Sequence, residues 1–246
     1  MRVVDLDRDM SDVIPTGTTR DSQYLFDRMT ERTLALAEAA PGRRILDVAS
    51  GFGQDALALA ARGADVVGAE PSARMTAWAL LTSAKAEGAV PRWVRAWSHT
   101  LPFRDGSFDA VLCKGALDHF DRPGRAIAEM ARVTKPRGRV ILAIANFESL
   151  ACRVARALDG LQEGVLGRVL PRGRRHYDVP ADHFTRYDLD LMREQAGRHV
   201  ALDHVEGISL FWGLPQWTRT VEGMREDRAD RLIRGAGWIA ERAPRL

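Results

Sequence analysis

Two carboxylates, Asp47 and Glu70, enclose the stretch of sequence with the most chemical content. Asp47 stands in the short apolar run Ile45-Leu46-Asp47-Val48, the composition of a buried parallel strand, and Ala49-Ser50-Gly51-Phe52-Gly53 follows it. Gly51 and Gly53 make a turn in which backbone approaches a ligand with no Cβ in the way. Ala56, Leu57, Leu59 and Ala60 then recur at helical spacing. The pattern is strand, glycine turn and helix, and the first N–H groups of that helix point outward to receive polar ligand atoms. Ala64-Asp65-Val66-Val67-Gly68-Ala69-Glu70 reads as a second strand that ends on its acid, where a carboxylate accepts two hydrogen bonds from a ribose diol. Together these features imply a nucleotide-like cofactor.

Read literally, Gly51-Phe52-Gly53-Gln54-Asp55-Ala56 satisfies the dinucleotide fingerprint G-x-G-x-x-A, with Glu70 at a workable distance downstream. Asp47 argues against a pyrophosphate, because a carboxylate beside the turn repels it. It suits a ligand with a cationic amine at the same place. S-adenosylmethionine carries such an amine on its methionine half and ribose hydroxyls for the second acid.

Asp47, the glycine turn and Glu70 together resemble the class I, Rossmann-like S-adenosylmethionine-dependent methyltransferases. Leu101-Pro102-Phe103-Arg104-Asp105-Gly106-Ser107-Phe108-Asp109-Ala110-Val111 is similar to the LPF…D.SFDAV phrase of the small-molecule branch, which includes quinone methyltransferases. Arg132-Val133-Thr134-Lys135-Pro136-Arg137-Gly138-Arg139-Val140 resembles the R-V-L-K-P-G-G turn before the fifth strand. The resemblance covers roughly residues 20 to 200 and implies that Asp47, Ala49, Gly51, Gly53, Glu70, Pro71 and Met75 hold the cofactor, with Met75 against the adenine. The family presents an acid to the adenine at the end of its third strand, here Arg92 to Trp97. This chain has Trp97 and Ser98 in that place, so stacking by Trp97 or the Ser98 backbone N–H must substitute. Lys114 ends the fourth strand where the family touches the cofactor, and pairs with Asp47, Asp118 or a substrate acid. Asp118-His119 resembles the L-H-H position facing the substrate, which makes both catalytic candidates. An imidazole of pKa near ~6.5 takes a proton from a hydroxyl or amine at neutral pH, and the same histidine can instead cap a helix. Cys113 points elsewhere by strand alternation and reads as packing.

The implied fold class is α/β: a doubly wound, mostly parallel sheet with helices on both faces and a helical lid insertion. A final antiparallel strand is apparently absent, since the chain reaches Leu246 without one. Residues 1–40 form an N-terminal helical arm, loosely ordered to residue 18, with two short helices between Thr19 and Ala40 before Pro41-Gly42. Tyr24 in this arm is a cofactor or substrate contact, or a half-buried helix tyrosine. Residues 41–145 are the cofactor-binding core, with helices from Pro71-Ser72 and over Pro123 to Val133, and a fifth strand over Val140 to Ala145. Residues 146–183 are the lid, with an amphipathic piece (Leu150, Val154, Leu158, Leu161) and then Arg172-Gly173-Arg174-Arg175-His176-Tyr177. The arginines suit a phosphate, a carboxylate or an anionic membrane, or are simply solvated; His176, Tyr177 and His183 are substrate-side candidates. Residues 184–246 complete the core: Thr185 caps a helix, 199 to 211 reads as a sixth strand, and 208 to 217 is apolar and aromatic. That segment lines an apolar pocket, touches a membrane or partner chain, or is ordinary core.

The 246 residues, 46% hydrophobic and 28% charged, fit a soluble globular protein of one α/β domain with an insertion. No apolar run spans a bilayer and the first residues lack a signal-peptide core, so a cytoplasmic location without stable membrane insertion is expected. Cys113 and Cys152 make neither a disulfide framework nor a metal set. The net charge is +3, and only Lys85, Lys114 and Lys135 are lysines. No basic run is interleaved with aromatics for base stacking, so no nucleic-acid partner is expected, and a homodimer stays open. The expected activity is methyl transfer from S-adenosylmethionine to a small metabolite, acidic or apolar, at oxygen before nitrogen, with an activated ring carbon also compatible. The alternatives are a cofactor-binding enzyme of the same fold with non-methylating chemistry, a nicotinamide oxidoreductase, and a purely structural binding module.

Overall fold

The computed structural model describes residues 19–167, 177–178, 185, 187–212 and 214–244. They divide into two units: described residues within 30–145 and 194–201 make the first, and those within 15–29, 146–193 and 202–246 the second.

The first unit is built on β1 (Arg44–Val48), β2 (Asp65–Ala69), β3 (Arg92–Val94), β4 (Phe108–Lys114) and β5 (Thr134–Ala143). They pair in the order β3-β2-β1-β4-β5, and every pairing is parallel. The chain winds outward from β1 through β2 to β3 and then restarts beside β1 at β4. The switch point of the topology therefore lies between β1 and β4, where open α/β sheets place ligands beyond the strand ends. A parallel sheet needs cover on both faces, and the sequence supplies it: Ile45 and Leu112 on one face, Leu46 and Val111 on the other, are all fully buried. Leu34 and Ala37 pack with Ala56, Leu59 and Ala60 of α2 (Gln54–Ala60) against Ile45, Val66 and Leu112. Each fully buried aliphatic side chain there contributes roughly 1.5–3 kcal/mol. Ser72 caps α3 (Ala73–Ser83) by accepting the Met75 N–H at 3.2 Å, and α4 (Pro123–Val133) begins on its proline, as expected.

The two phrases that carry the family resemblance after the glycine turn are joined by one guanidinium. Arg132 donates to the carbonyls of Leu101 (3.0 Å) and Phe103 (2.8 Å) and to Asp105 (2.7 Å). It also pairs with Glu129 at 2.7 Å, and Glu129 accepts the Leu101 N–H at 2.9 Å. The Arg132 hydrogen bonds hold the Glu129 carboxyl below the usual carboxylate range, so its contribution to stability is present above about pH 4.3 and lost on acidification below that. Arg132→Ala takes this donor from two carbonyls and two carboxylates, and the expected loss is about 2–3 kcal/mol in urea unfolding. Arg132→Lys recovers little of it, because an ammonium cannot fork between these acceptors.

Three expectations for the first unit are corrected. One continuous helix, α1 (Arg20–Leu36), replaces the two short ones, since no glycine or proline interrupts the sequence before Pro41. The Lys135-Pro136-Arg137-Gly138 phrase is a bulge inside β5 and not a turn before it: between Phe108 and Ala110 the register jumps from Thr134 to Arg139. β3 ends at Val94, so Trp97 and Ser98 lie in the following loop, where Trp97 bridges to Thr100.

The second unit holds α5 (Leu150–Gly164), α7 (Pro215–Glu222) and α8 (Glu226–Arg242), and α1 and α6 (Leu189–Gly197) have residues in both units. Leu210, Ala236 and Ala240 pack with Leu150, Phe211 and Trp217, so part of the aromatic 208–217 segment is core. Val221, Ala229 and Ile233 pack with Tyr24 and Met224. The Tyr24 hydroxyl lies where a Cβ at Gly237 would sit, so Tyr24 is a packing residue of this unit. The sixth strand expected over 199–211 does not form. Its Gly207 N–H donates instead to the Ala240 carbonyl at the end of α8 (3.1 Å). The cap of α6 is not Thr185 but Asp188, whose Oδ1 accepts the Leu191 N–H at 2.7 Å. Tyr177 donates to Asp159 at 2.7 Å and lies under the Arg156 guanidinium. The arginine cluster 172–175, His176, His183 and the arm to residue 18 lie outside the described residues.

Candidate active site

β1 delivers Asp47 to the glycine turn with its side chain only 3% exposed. The turn starts under strain: Ala49 holds φ +56°, a left-handed conformation that costs a residue with a Cβ about 1–2 kcal/mol. The Ala69 carbonyl of β2 accepts both the Ala49 and Ser50 N–H groups (2.8 and 3.3 Å), which holds that conformation in place. Gly53 follows at φ +87° as the residue before α2, and its N–H donates to the Ser50 carbonyl at 2.9 Å.

Glu70, just past β2, is buried and fixed from two sides. Its Oε2 accepts the Gly51 N–H at 3.0 Å and its Oε1 the Ser72 N–H at 2.9 Å. It thus ties the glycine turn to the start of α3. The methyl of Met75, from the first turn of α3, reaches within 3.7 Å of where a Cβ at Gly51 would stand. The Pro71 carbonyl accepts from the Arg95 guanidinium at 3.0 Å.

The sequence missed two members of this site. One is Asp55, in the first turn of α2: the Lys114 Nζ binds it at 2.7 Å and donates to the Thr30 hydroxyl of α1 at 2.8 Å, where Asp47 or Asp118 was the protein partner expected. Strand alternation places Lys114 on the Asp47 face, and Asp55 stands at the helix end where that face opens. An acid two residues past the second glycine, opposite the lone cation of an apolar strand end, was the available signal. The other is Trp93, whose indole lies against both Gly53 and Gly68 and donates from Nε1 to the Ser83 hydroxyl at 3.0 Å.

Burial lifts the Asp47 carboxyl well above its ordinary range, and the negative charges of Asp55 and Glu70 act in the same direction. Lys114 and the Ala56 N–H oppose them. Asp47 thus feels two other carboxylates and one ammonium. Burial likewise pushes the Cys113 thiol up, and the charges of Asp47, Asp118 and Glu70 add to it. Asp118 therefore stands near the same strand ends, buried in a 3-10 turn, Leu117–His119, that follows β4, with His119 half-buried beside it. Asp47, Ala49, Gly51, Gly53, Glu70, Pro71, Met75, Lys114 and Asp118 are brought together at the carboxyl ends of β1, β2 and β4. Trp97 and Ser98 are not tied to them by any hydrogen bond or ring contact among the described residues. Ser98 is buried, and Trp97 meets the His99 ring at 5.9 Å. Among the described residues no group of side chains could hold a metal ion.

Residues 46–142 match the family model described as a methyltransferase domain. An uncharacterized methyltransferase of Mycobacterium sp. (strain JLS) is 41% identical over 109 residues, which cover 44% of this chain and 41% of that one. A demethylmenaquinone methyltransferase of Renibacterium salmoninarum is 35% identical over 133 residues, 54% of this chain and 51% of that one. The chain thus spans about half the length of the curated relatives it matches. Among solved structures, the magnesium protoporphyrin IX methyltransferase of Synechocystis PCC 6803 with bound SAH superposes with a TM-score of 0.60 at 20% identity. That superposition covers 78% of this chain and 82% of the other, and shows a shared fold. The matched stretch contains Asp47, the glycine turn, Glu70, the Leu101–Val111 phrase and Asp118-His119, and residues 46–142 are accordingly similar, in sequence and in fold, to a methyltransferase domain.

Proposed function

We propose that the protein transfers a methyl group from S-adenosylmethionine to a small-molecule acceptor, with oxygen as the first candidate atom. The observation that carries this reading is the buried Asp47 carboxyl at a strained glycine turn, with Glu70 held by two amides on the other side. The residues fit that cofactor in charge: Asp47, Asp55 and Glu70 outnumber Lys114, an excess that favours a cationic ligand and opposes a pyrophosphate. Bound there, the cofactor supplies an already activated sulfonium methyl. Asp47 would hold the ammonium and Glu70 the ribose diol, with the Gly51-Phe52-Gly53 backbone between these two acids. The protein's remaining task is to align an acceptor lone pair with the carbon–sulfur bond and exclude water. His119, in the turn after β4, would take the proton that an oxygen acceptor gives up. Action in the cytoplasm, on a metabolite and not a nucleic acid, belongs to the same reading, which leaves a homodimer open.

A ring carbon is the second reading, favoured by relatives named demethylmenaquinone methyltransferase. Titration calorimetry tests the cofactor: heat is expected with S-adenosylmethionine and with S-adenosylhomocysteine, and none with NAD. Silence from both sulfur ligands overturns the assignment. With an acceptor in hand, carbon-13 spectra of the labelled product distinguish an ether methyl from a carbon-bound one. Turnover that yields no S-adenosylhomocysteine would instead establish non-methylating chemistry.

A further inference from the structure

The helix α8 buries Ala229, Ile233, Ala236, Gly237 and Ala240 within the second unit. Turned away from them, at steps of three or four, run Arg228, Arg231, Arg234, Trp238 and Arg242, all exposed. Leu232 and Ile239 border this row, each 41% exposed, and Trp238 is 56% exposed. At 100° per residue the four arginines and these three apolar side chains share one outward arc of the helix. Asp227 is the one acid on it and pairs with Arg231 at 3.2 Å and with Arg225 at 3.4 Å. The other acids of the helix, Glu226, Asp230 and Glu241, fall on a single flank, where Glu241 pairs with Arg28 and lies 3.7 Å from Arg242. Arg242 lies over the Trp238 ring, 4.0 Å from its centroid. Charge is thus sorted around the helix, and the cationic side is the one that carries tryptophan, leucine and isoleucine.

We propose that this outward face of α8 docks the protein on an anionic phospholipid surface. The arginines meet headgroup phosphates, for which a guanidinium fork is well shaped, while Trp238 sits at the headgroup level and Leu232 and Ile239 reach the acyl boundary. A nucleic acid would use the arginines and the indole, but it has no use for two exposed aliphatic side chains, which cannot stack on bases. No described helix is long and apolar enough to cross a membrane, so the attachment is peripheral. It rests on α8 alone and stands apart from the identity of the cofactor or acceptor.

Sedimentation of the full chain with vesicles tests the proposal. Binding is expected to vesicles of mixed phosphatidylcholine and phosphatidylglycerol, to weaken with added salt, and to be lacking for pure phosphatidylcholine. Arg228→Glu with Arg234→Glu reverses two arginines outside the ion pairs above and is expected to weaken binding by roughly tenfold or more. Trp238→Ala weakens it less and removes the indole quenching given by brominated lipid. Unchanged calorimetric binding of S-adenosylhomocysteine by these variants shows that they are folded. No binding to the mixed vesicles, equal binding to both kinds, or full binding by the double variant overturns the proposal. So does loss, on the same substitutions, of binding to duplex DNA by a protein that ignores the vesicles.

Discussion

Gly68→Ala is expected to destabilise the protein by about 2–3 kcal/mol, and almost all of that cost disappears in a Trp93→Leu background. A Cβ at Gly68 would lie 2.2 Å from Cζ3 and 2.4 Å from Cε3 of the Trp93 indole, far inside contact distance. The ring cannot swing aside cheaply, because its Nε1 is held by Ser83. Gly68 has no positive φ, so its need for glycine comes chiefly from that ring, with the Ser50 hydroxyl 3.0 Å from the same Cβ as a smaller obstacle. Gly53 meets the other edge of the same ring, with Cη2 2.2 Å from a built Cβ, and it also holds φ +87°. Gly53→Ala therefore costs about 2–4 kcal/mol, and Trp93→Leu relieves only the part due to collision, leaving the roughly 1–2 kcal/mol of left-handed backbone. Urea unfolding of the singles and doubles provides the measurement, with full rescue at 68 and partial rescue at 53 as the expected outcome.

Asp47→Asn is expected to raise stability at neutral pH while lowering affinity for S-adenosylmethionine by roughly 10–100-fold. Burial lifts the Asp47 carboxyl above its ordinary range, so the fold prefers the protonated form. Its contribution is complete below about pH 4, the unfolded value, and is lost as pH rises through the folded one. Melting temperatures of the two proteins should coincide near pH 4 and separate in favour of asparagine as pH rises, by a few degrees for each ~1 kcal/mol. An amide keeps the hydrogen bond to Ala56 and relieves the repulsion from Asp55 and Glu70, but it cannot balance an ammonium. A saturating cofactor therefore reverses the order of the melting temperatures. Equal affinity for the two proteins would remove Asp47 from the binding site.

The parts of the fold that local pattern dictates were legible. The apolar run before the turn, the glycines at 51 and 53, and Pro71-Ser72 and Pro123 as helix starts all act within a few residues of themselves. What escaped was pairing between distant positions. Nothing near Lys114 announces Asp55 or Thr30, and Trp93 reads as a strand residue until its ring is seen resting on two glycines. Residues 199–211 read as a strand, yet the Gly207 N–H within them is engaged by the end of α8. Length was misjudged where polar residues filled the middle of α1, since amphipathic spacing fades there while helix propensity does not.

The clasp of Arg132 across Leu101, Phe103, Asp105 and Glu129 has a bearing on what family likeness can tell. The phrases that carry the family likeness brace a frame in this chain, and a brace of that kind holds no information about an acceptor. Likeness between residues 46 and 142 therefore speaks to a shared frame, and the same frame can serve acceptors of different kinds.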